Sequence, residues 1–135
     1  MMHEDILKHR LIEDLRSINL PVDEVDISIR PFSSTYYGRY FPVYDERRCR
    51  PKIYLYPYKN KKGDMYSYVE ILKILIHEMV HHLQHTNPSF VRLKGVMHDT
   101  NFWKLYNRYL EKIGGVDVEW ESNIQERENC KEAIV

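Results

Sequence analysis

The feature that most constrains the fold is a run of apolar and ionisable residues that ends at Pro88. Ser67 followed by Glu70 is a capping-box pattern, which is typical of a helix N-terminus. Apolar residues then recur at spacings of three and four, as on the buried face of a helix: Ile71, Leu72, Leu75, Ile76, Met79, Val80 and Leu83. The residue before a proline is disfavoured in the α region, so the helix stops there. Residues 67–86 are therefore predicted to form one long, mostly buried helix.

This predicted helix carries an H-E-x-x-H motif at positions 77–81. Because four residues make slightly more than one turn, His77 and His81 project from the same face. Two imidazoles in that arrangement can bind one Zn²⁺ ion, at roughly 2.0–2.1 Å each. Glu78 flanks the metal without binding it, where it can act as general base toward a metal-activated water. The competing interpretation is a helix with surface histidines and a solvated glutamate.

A catalytic zinc ion takes three protein ligands, so the motif needs a third. His98 comes just before a second amphipathic pattern, for which Asp99 or Thr100 can be the N-cap and Gly114-Gly115 the C-terminal stop. The apolar face of this second helix comprises Phe102, Leu105, Tyr106, Tyr109, Leu110 and Ile113. Packed on the first helix, it would bring His98 to the same metal, and His98 is our predicted third ligand.

Two residues are alternatives for the third ligand. His85 is one turn beyond His81 and lies too far along the helix to close a tetrahedron easily. Glu111 lies about three turns past His98 in the second helix. His82 is expected to point away from the metal face.

Taken together, these residues resemble the SprT-like and WLM minimal zincin peptidases, whose layout YgjP-like proteins share. The resemblance is carried by H-E-M-V-H, a spacer and H-D-x-x-F-W, and it covers roughly residues 5 to 115. It implies that His77, His81 and His98 bind zinc and that Glu78 is the catalytic base.

The chain departs from that family pattern at two points. Asp99 follows the third histidine, where many SprT-like sequences have glycine and the WLM-type pattern is closer. The zinc ribbon often found in SprT proteins is not indicated, because Cys49 and Cys130 form no C-x-x-C pair. Phe102 matches an aromatic position of the family that serves in packing.

The remaining segments predict an α+β fold. Residues 4–19 have helical spacing, and His3 and His9 there are expected to be solvated. Three strands are predicted at 25–29, 36–44 and 52–56. The expected architecture is a minimal zincin-like domain with an N-terminal helix, a small three-stranded sheet, the H-E-x-x-H helix and a following ligand-bearing helix. Either Tyr36 to Tyr44 or Ile53 to Tyr56 is expected to be a sheet edge that binds an extended substrate.

Length and composition limit the number of domains and the class of protein to be expected. A chain of 135 residues, 43% hydrophobic and 30% charged, is expected to be a globular protein with a single core. We divide it into a SprT-like zinc metallopeptidase domain, 1–115, and an acidic C-terminal tail, 116–135. No run approaches the roughly 20 apolar residues of a membrane helix, and no signal peptide is evident. We therefore expect a cytoplasmic (intracellular) monomer with no membrane partner.

The sequence predicts a zinc metalloendopeptidase that hydrolyses peptide bonds in protein or peptide substrates. The alternative is a non-catalytic, zinc-braced module that binds protein or DNA. A zero net charge argues against strong non-specific binding of nucleic acid, although weak contact through the basic loops at 47–52 and 59–62 is a lesser expectation. Action on DNA-bound proteins, as SprT-like enzymes show, is a third and weaker hypothesis.

Overall fold

The structure, a computed structural model, describes residues 4–42, 50–87 and 98–113. Its helices and strands follow one another as α1 (Glu4–Ser17), a 3₁₀ turn (Val22–Glu24), β1 (Asp26–Ile29), β2 (Gly38–Phe41), β3 (Lys52–Leu55), α2 (Tyr68–Thr86) and α3 (Thr100–Ile113). The predicted α+β class and the order of one helix, three strands and two helices are therefore confirmed.

The three strands form a mixed sheet in which β3 is central. Ile53 of β3 lies opposite Ile27 of the parallel strand β1 and opposite Tyr40 of the antiparallel strand β2. The expectation that Ile53 to Tyr56 forms a sheet edge is wrong, because β3 is hydrogen-bonded to a neighbour on each side. The other candidate, Tyr36 to Tyr44, contains β2, which among the described strands pairs with β3 alone and so lies at an edge of the sheet.

Helix α2 is the element around which the core assembles. Ser67 Oγ accepts a hydrogen bond from the Glu70 amide, and Glu70 Oε1 accepts one from the Ser67 amide, both at 3.2 Å. The predicted capping box is thus present. Every residue from Ile71 to Leu83 is buried, because α1, α3 and the sheet all pack on this helix. Ionisable residues in that stretch are removed from water, which is unfavourable unless polar groups or a metal compensate.

The two other helices bury one face each. The buried residues of α1 are Leu7, Leu11 and Leu15, and those of α3 are Phe102, Leu105, Tyr106, Tyr109 and Leu110. His9 is exposed, as expected. Among the described residues, no helix is long and apolar enough to cross a membrane. Several predictions concern residues outside those described: His3, the basic residues 47–49, the domain boundary at 115 and the acidic tail 116–135.

Candidate metal centre

Three imidazoles converge, two from α2 and one from the residue that precedes the N-cap of α3. The Nε2 atom of His98 lies 3.1 Å from Nε2 of His77 and 3.1 Å from Nε2 of His81. Two nitrogens that bind one tetrahedral zinc ion at 2.0–2.1 Å are about 3.3 Å apart, so these separations are close to what a shared ion requires. His77 and His81 are buried and His98 is half-buried. The three histidines are thus close enough to one another to bind one metal ion.

Hydrogen bonding alone does not account well for this arrangement. The Nε2 atom of a neutral imidazole carries either one hydrogen or one lone pair. His98 Nε2 would therefore have to share a single hydrogen, or a single lone pair, between His77 and His81. A metal ion, by contrast, accepts one lone pair from each of the three nitrogens. The donor set therefore fits a metal better than it fits a network of hydrogen bonds.

The protonation state of His77 also suits metal binding. Complete burial lowers the pKa of His77 well below its ordinary value, and the charges of His81 and His98 lower it further. The ring is therefore neutral at neutral pH, with a lone pair available on one nitrogen. Imidazole nitrogens with a free lone pair are donors that bind zinc well.

Aromatic side chains of α3 enclose the three histidines. The ring centroid of Phe102 lies 4.7 Å from that of His77, 4.6 Å from that of His81 and 4.9 Å from that of His98. Trp103 stacks on His98 at 5.7 Å. Such an apolar shell restricts the orientation of the imidazoles and limits the access of water to them. Phe102, which is fully buried, has the packing role that was expected of it.

Asp99 fixes the start of α3 and hence the position of His98. Its Oδ1 atom accepts a hydrogen bond from the Phe102 amide at 2.8 Å, which is the geometry of an N-cap. The same oxygen lies 3.4 Å from Nε2 of Gln84 on α2. Asp99 is itself buried. An aspartate directly after the third histidine, where the family pattern often has glycine, therefore caps α3 and connects it to α2.

Glu78 follows His77 in α2 and is completely buried. Its side chain lies against the first residue of β2: a Cβ atom placed on Gly38 would be 3.0 Å from Glu78 Oε2 and 3.1 Å from Glu78 Cγ. With any other residue at position 38, β2 or the Glu78 side chain would have to shift by a few tenths of an ångström. Gly38 was not identified from the sequence, because no local motif marks the approach of a strand to a helix distant in the chain.

The alternative third ligands lie outside the histidine group. His85 and Glu111 are both exposed, and the ring of His85 lies 6.2 Å from that of Tyr40. His82 points away from the group, as expected: its Nδ1 lies 2.8 Å from the Tyr40 hydroxyl and its Nε2 lies 2.8 Å from Glu24 Oε1. Sequence reasoning did not find these two partners, since each lies on a different element from His82.

Comparison of the chain with protein-family profiles, with curated proteins and with solved structures finds no match. The comparisons therefore assign no family to it. What can be said of its function depends on the chemistry and geometry of the three histidines and their surroundings.

Proposed function

We propose that this chain is a zinc-dependent metallopeptidase of the minimal zincin type, with residues 1–115 as its catalytic domain. The observation that carries the proposal is the convergence of His77, His81 and His98, together with the complete burial of Glu78, which follows His77 in α2. A buried carboxylate directly after the first of three converging histidines is a combination typical of metal-assisted hydrolysis. The resemblance of the motifs to SprT-like and WLM peptidases supports the same function.

The Nε2 atoms of His77, His81 and His98 would hold the zinc ion. Once bound, zinc supplies Lewis-acid chemistry: it lowers the pKa of a water to near 7 and polarises the scissile carbonyl. Phe102 and Trp103 keep the surroundings of the histidines apolar, which strengthens the electrostatic interactions of the site.

Glu78 would act as the proton-transfer group. As general base it takes a proton from the attacking water, and as general acid it then gives that proton to the leaving amine. Its contact with Gly38 puts the carboxylate beside the edge strand of the sheet. Catalysis and substrate binding would therefore take place on neighbouring surfaces.

An extended polypeptide is the substrate class that the sheet favours. Since β2 is an edge strand, a peptide can pair with it as an additional strand. Because β2 begins at Gly38, a peptide bound in this way would pass close to Glu78. Protein substrates with an unfolded or extended segment are therefore expected.

Substitution of Glu78 by Gln tests the proposal. Glu78→Gln should retain zinc and slow the cleavage of reduced, carboxymethylated casein by about 100-fold or more, the usual contribution of general acid–base catalysis. Glu111→Gln, an exposed position on α3, is the matched control and should cleave at the wild-type rate. Cleavage by Glu78→Gln at the wild-type rate would exclude Glu78 from the mechanism.

Elemental analysis of the same proteins tests the metal site. His98→Ala should bind zinc more weakly than the wild type, whereas His85→Ala should keep the wild-type zinc content. If wild-type protein binds zinc but does not cleave casein, the zinc-braced binding module is the better interpretation.

A further inference from the structure

We infer that His82 and Tyr40, supported by Glu24, are positioning residues that hold the edge strand β2 in register with α2. Through this clamp they set where Gly38 meets Glu78. The inference rests on the proposed function, because it assigns the clamp to the strand that would bind the substrate. It also explains the additional histidine directly after the H-E-x-x-H motif.

Both ring nitrogens of His82 are engaged, although the residue is only 1% exposed. The carboxylate of Glu24 can only accept, so in the neutral ring Nε2 carries the hydrogen and donates to it. Nδ1 then has the lone pair that accepts the hydrogen bond of the Tyr40 hydroxyl. The two rings are also in edge contact, with centroids 5.5 Å apart. His82 thus connects α2 to β2 on one side and to the 3₁₀ turn on the other.

The spacing of residues along β2 and along α2 makes this connection specific for one register of the strand against the helix. Gly38 and Tyr40 are two residues apart on β2 and share a face, while Glu78 and His82 are four apart on α2 and share a face. Two strand residues span about 6.6 Å and four helix residues about 6 Å, so both pairs can form together. A shift of β2 by one residue would turn the side chain of Tyr40 to the opposite face of the sheet. The Tyr40–His82 hydrogen bond therefore selects the register in which Gly38 faces Glu78.

On the other face of β2, the described contacts of Arg39 and Phe41 are with residues of the sheet and of the segment that precedes β2. The guanidinium of Arg39 lies 4.3 Å from the ring centroid of Tyr36 and 4.7 Å from that of Phe41. The ring of Phe41 contacts that of Tyr54 on β3 at 4.9 Å. These contacts hold β2 to the sheet and not to α2. The tyrosine that joins β2 to the histidine-bearing helix through a hydrogen bond is Tyr40.

The clamp formed by Tyr40 and His82 would affect where a bound substrate lies relative to Glu78. A peptide paired with β2 has its scissile bond at a position that the strand determines, whereas Glu78 is fixed in α2. Small errors in such placement reduce rates strongly. Tyr40 and His82 would act through β2 and touch neither the substrate nor the metal.

Tyr40→Phe is the direct test, because it keeps the ring and removes the hydroxyl donor. Tyr54→Phe, on the opposite face of the sheet, is the matched control. Amide hydrogen exchange of residues 38–41, measured by NMR, should accelerate about two- to tenfold in Tyr40→Phe and stay unchanged in Tyr54→Phe, as expected for the loss of one hydrogen bond. Unchanged exchange in Tyr40→Phe, or equal acceleration in both variants, would overturn the clamp.

Kinetics distinguish a positioning role from simple loosening of the strand. With reduced, carboxymethylated casein, kcat/KM of Tyr40→Phe should fall about two- to tenfold, mainly through a lower kcat, at unchanged zinc content. His82→Gln should restore near wild-type values relative to His82→Ala, because its amide can accept from Tyr40 and donate to Glu24. Wild-type kinetics in a Tyr40→Phe protein with accelerated exchange would refute the positioning role. Accelerated exchange in the variant, with no casein cleavage by the wild type, would leave the clamp standing and refute the proposed function.

Discussion

The approach of β2 to Glu78 makes Gly38→Ala an informative substitution. Gly38 lacks the left-handed backbone conformation that favours glycine; among the described glycines, Gly63 has it, with φ of 97°. The consequences of Gly38→Ala should therefore be steric. The added Cβ would lie 3.0 Å from Glu78 Oε2 and 3.0 Å from Ile74 Cγ2, and both side chains are buried. Overpacking of this kind typically costs 1–3 kcal/mol, so we expect a loss of about 2 kcal/mol in the free energy of unfolding.

The same substitution should impair catalysis beyond its effect on stability. Relief of the clash moves either β2 or the Glu78 carboxylate, and a misplacement of about 1 Å can reduce a rate by about 100-fold. The zinc content should remain that of the wild type, because the atoms nearest to a Cβ at Gly38 belong to Glu78 and Ile74 and not to a histidine. Urea unfolding followed by circular dichroism gives the stability, with a midpoint about 1 M lower than in the wild type. Casein cleavage by the folded protein gives the activity.

Gly63→Ala is the matched control, because its expected loss of stability has a different physical cause. No atom lies within 4 Å of a Cβ at this position, so the loss of about 1–2 kcal/mol expected there comes from backbone strain alone. Stability should fall in both variants, whereas activity should fall only in Gly38→Ala. A Gly38→Ala protein with wild-type midpoint and activity would refute the steric reasoning, as would equal losses of activity in the two variants.

Three further predictions concern the cap of α3, the pH dependence of stability and a half-buried phenol. Asp99→Ala should lower the free energy of unfolding by about 1–2 kcal/mol and weaken zinc binding, because the Phe102 amide loses its cap. Asp99→Asn keeps an acceptor and is the control. Urea unfolding and zinc competition measure both effects, and equal behaviour of the two variants would contradict the prediction. Metal-free protein should become less stable as the pH falls below about 6.5, because burial keeps the pKa of His77 low in the folded state and the unfolded chain takes up the proton. Urea midpoints measured with a chelator present should therefore decrease as the pH is lowered. A midpoint that does not change with pH would contradict the prediction. Burial, followed by the hydrogen bond to Asp14, raises the pKa of Tyr68, so this phenol should ionise at higher pH than free tyrosine in an ultraviolet titration and at lower pH in Asp14→Ala.

The helices and the spacing of the histidines could be predicted because their signals are local. The capping box of α2 lies within four residues, and the same-face placement of His77 and His81 follows from the helical repeat. The cap of α3 is also local, although the sequence left Asp99 and Thr100 as alternatives until the hydrogen bond to Phe102 decided between them. The meeting of His98 with the other two histidines needed one additional assumption, that the two helices pack together.

The strand order and the surroundings of Glu78 could not be predicted, because they depend on contacts between distant segments. The alternating pattern around Ile53 shows that one face of the strand is buried, and that holds equally for a central and an edge strand. The partners of His82 and the proximity of Gly38 to Glu78 arise only once β2 lies along α2. These are the features that would determine how a substrate is placed.

The placement of two histidines in α2 and of the third just before α3 has a mechanical consequence. An ion bound by His77, His81 and His98 would cross-link α2 to α3 and close the chain between them into a loop, much as a disulfide does. Closing a loop of about 15 residues is worth about 3 kcal/mol in the chain-entropy description of such cross-links. The docking of α3 would then depend on the free metal concentration, since a ligand that binds only the folded state stabilises it by mass action. Zinc supply would in that way control how much of the chain is folded as well as how much is active.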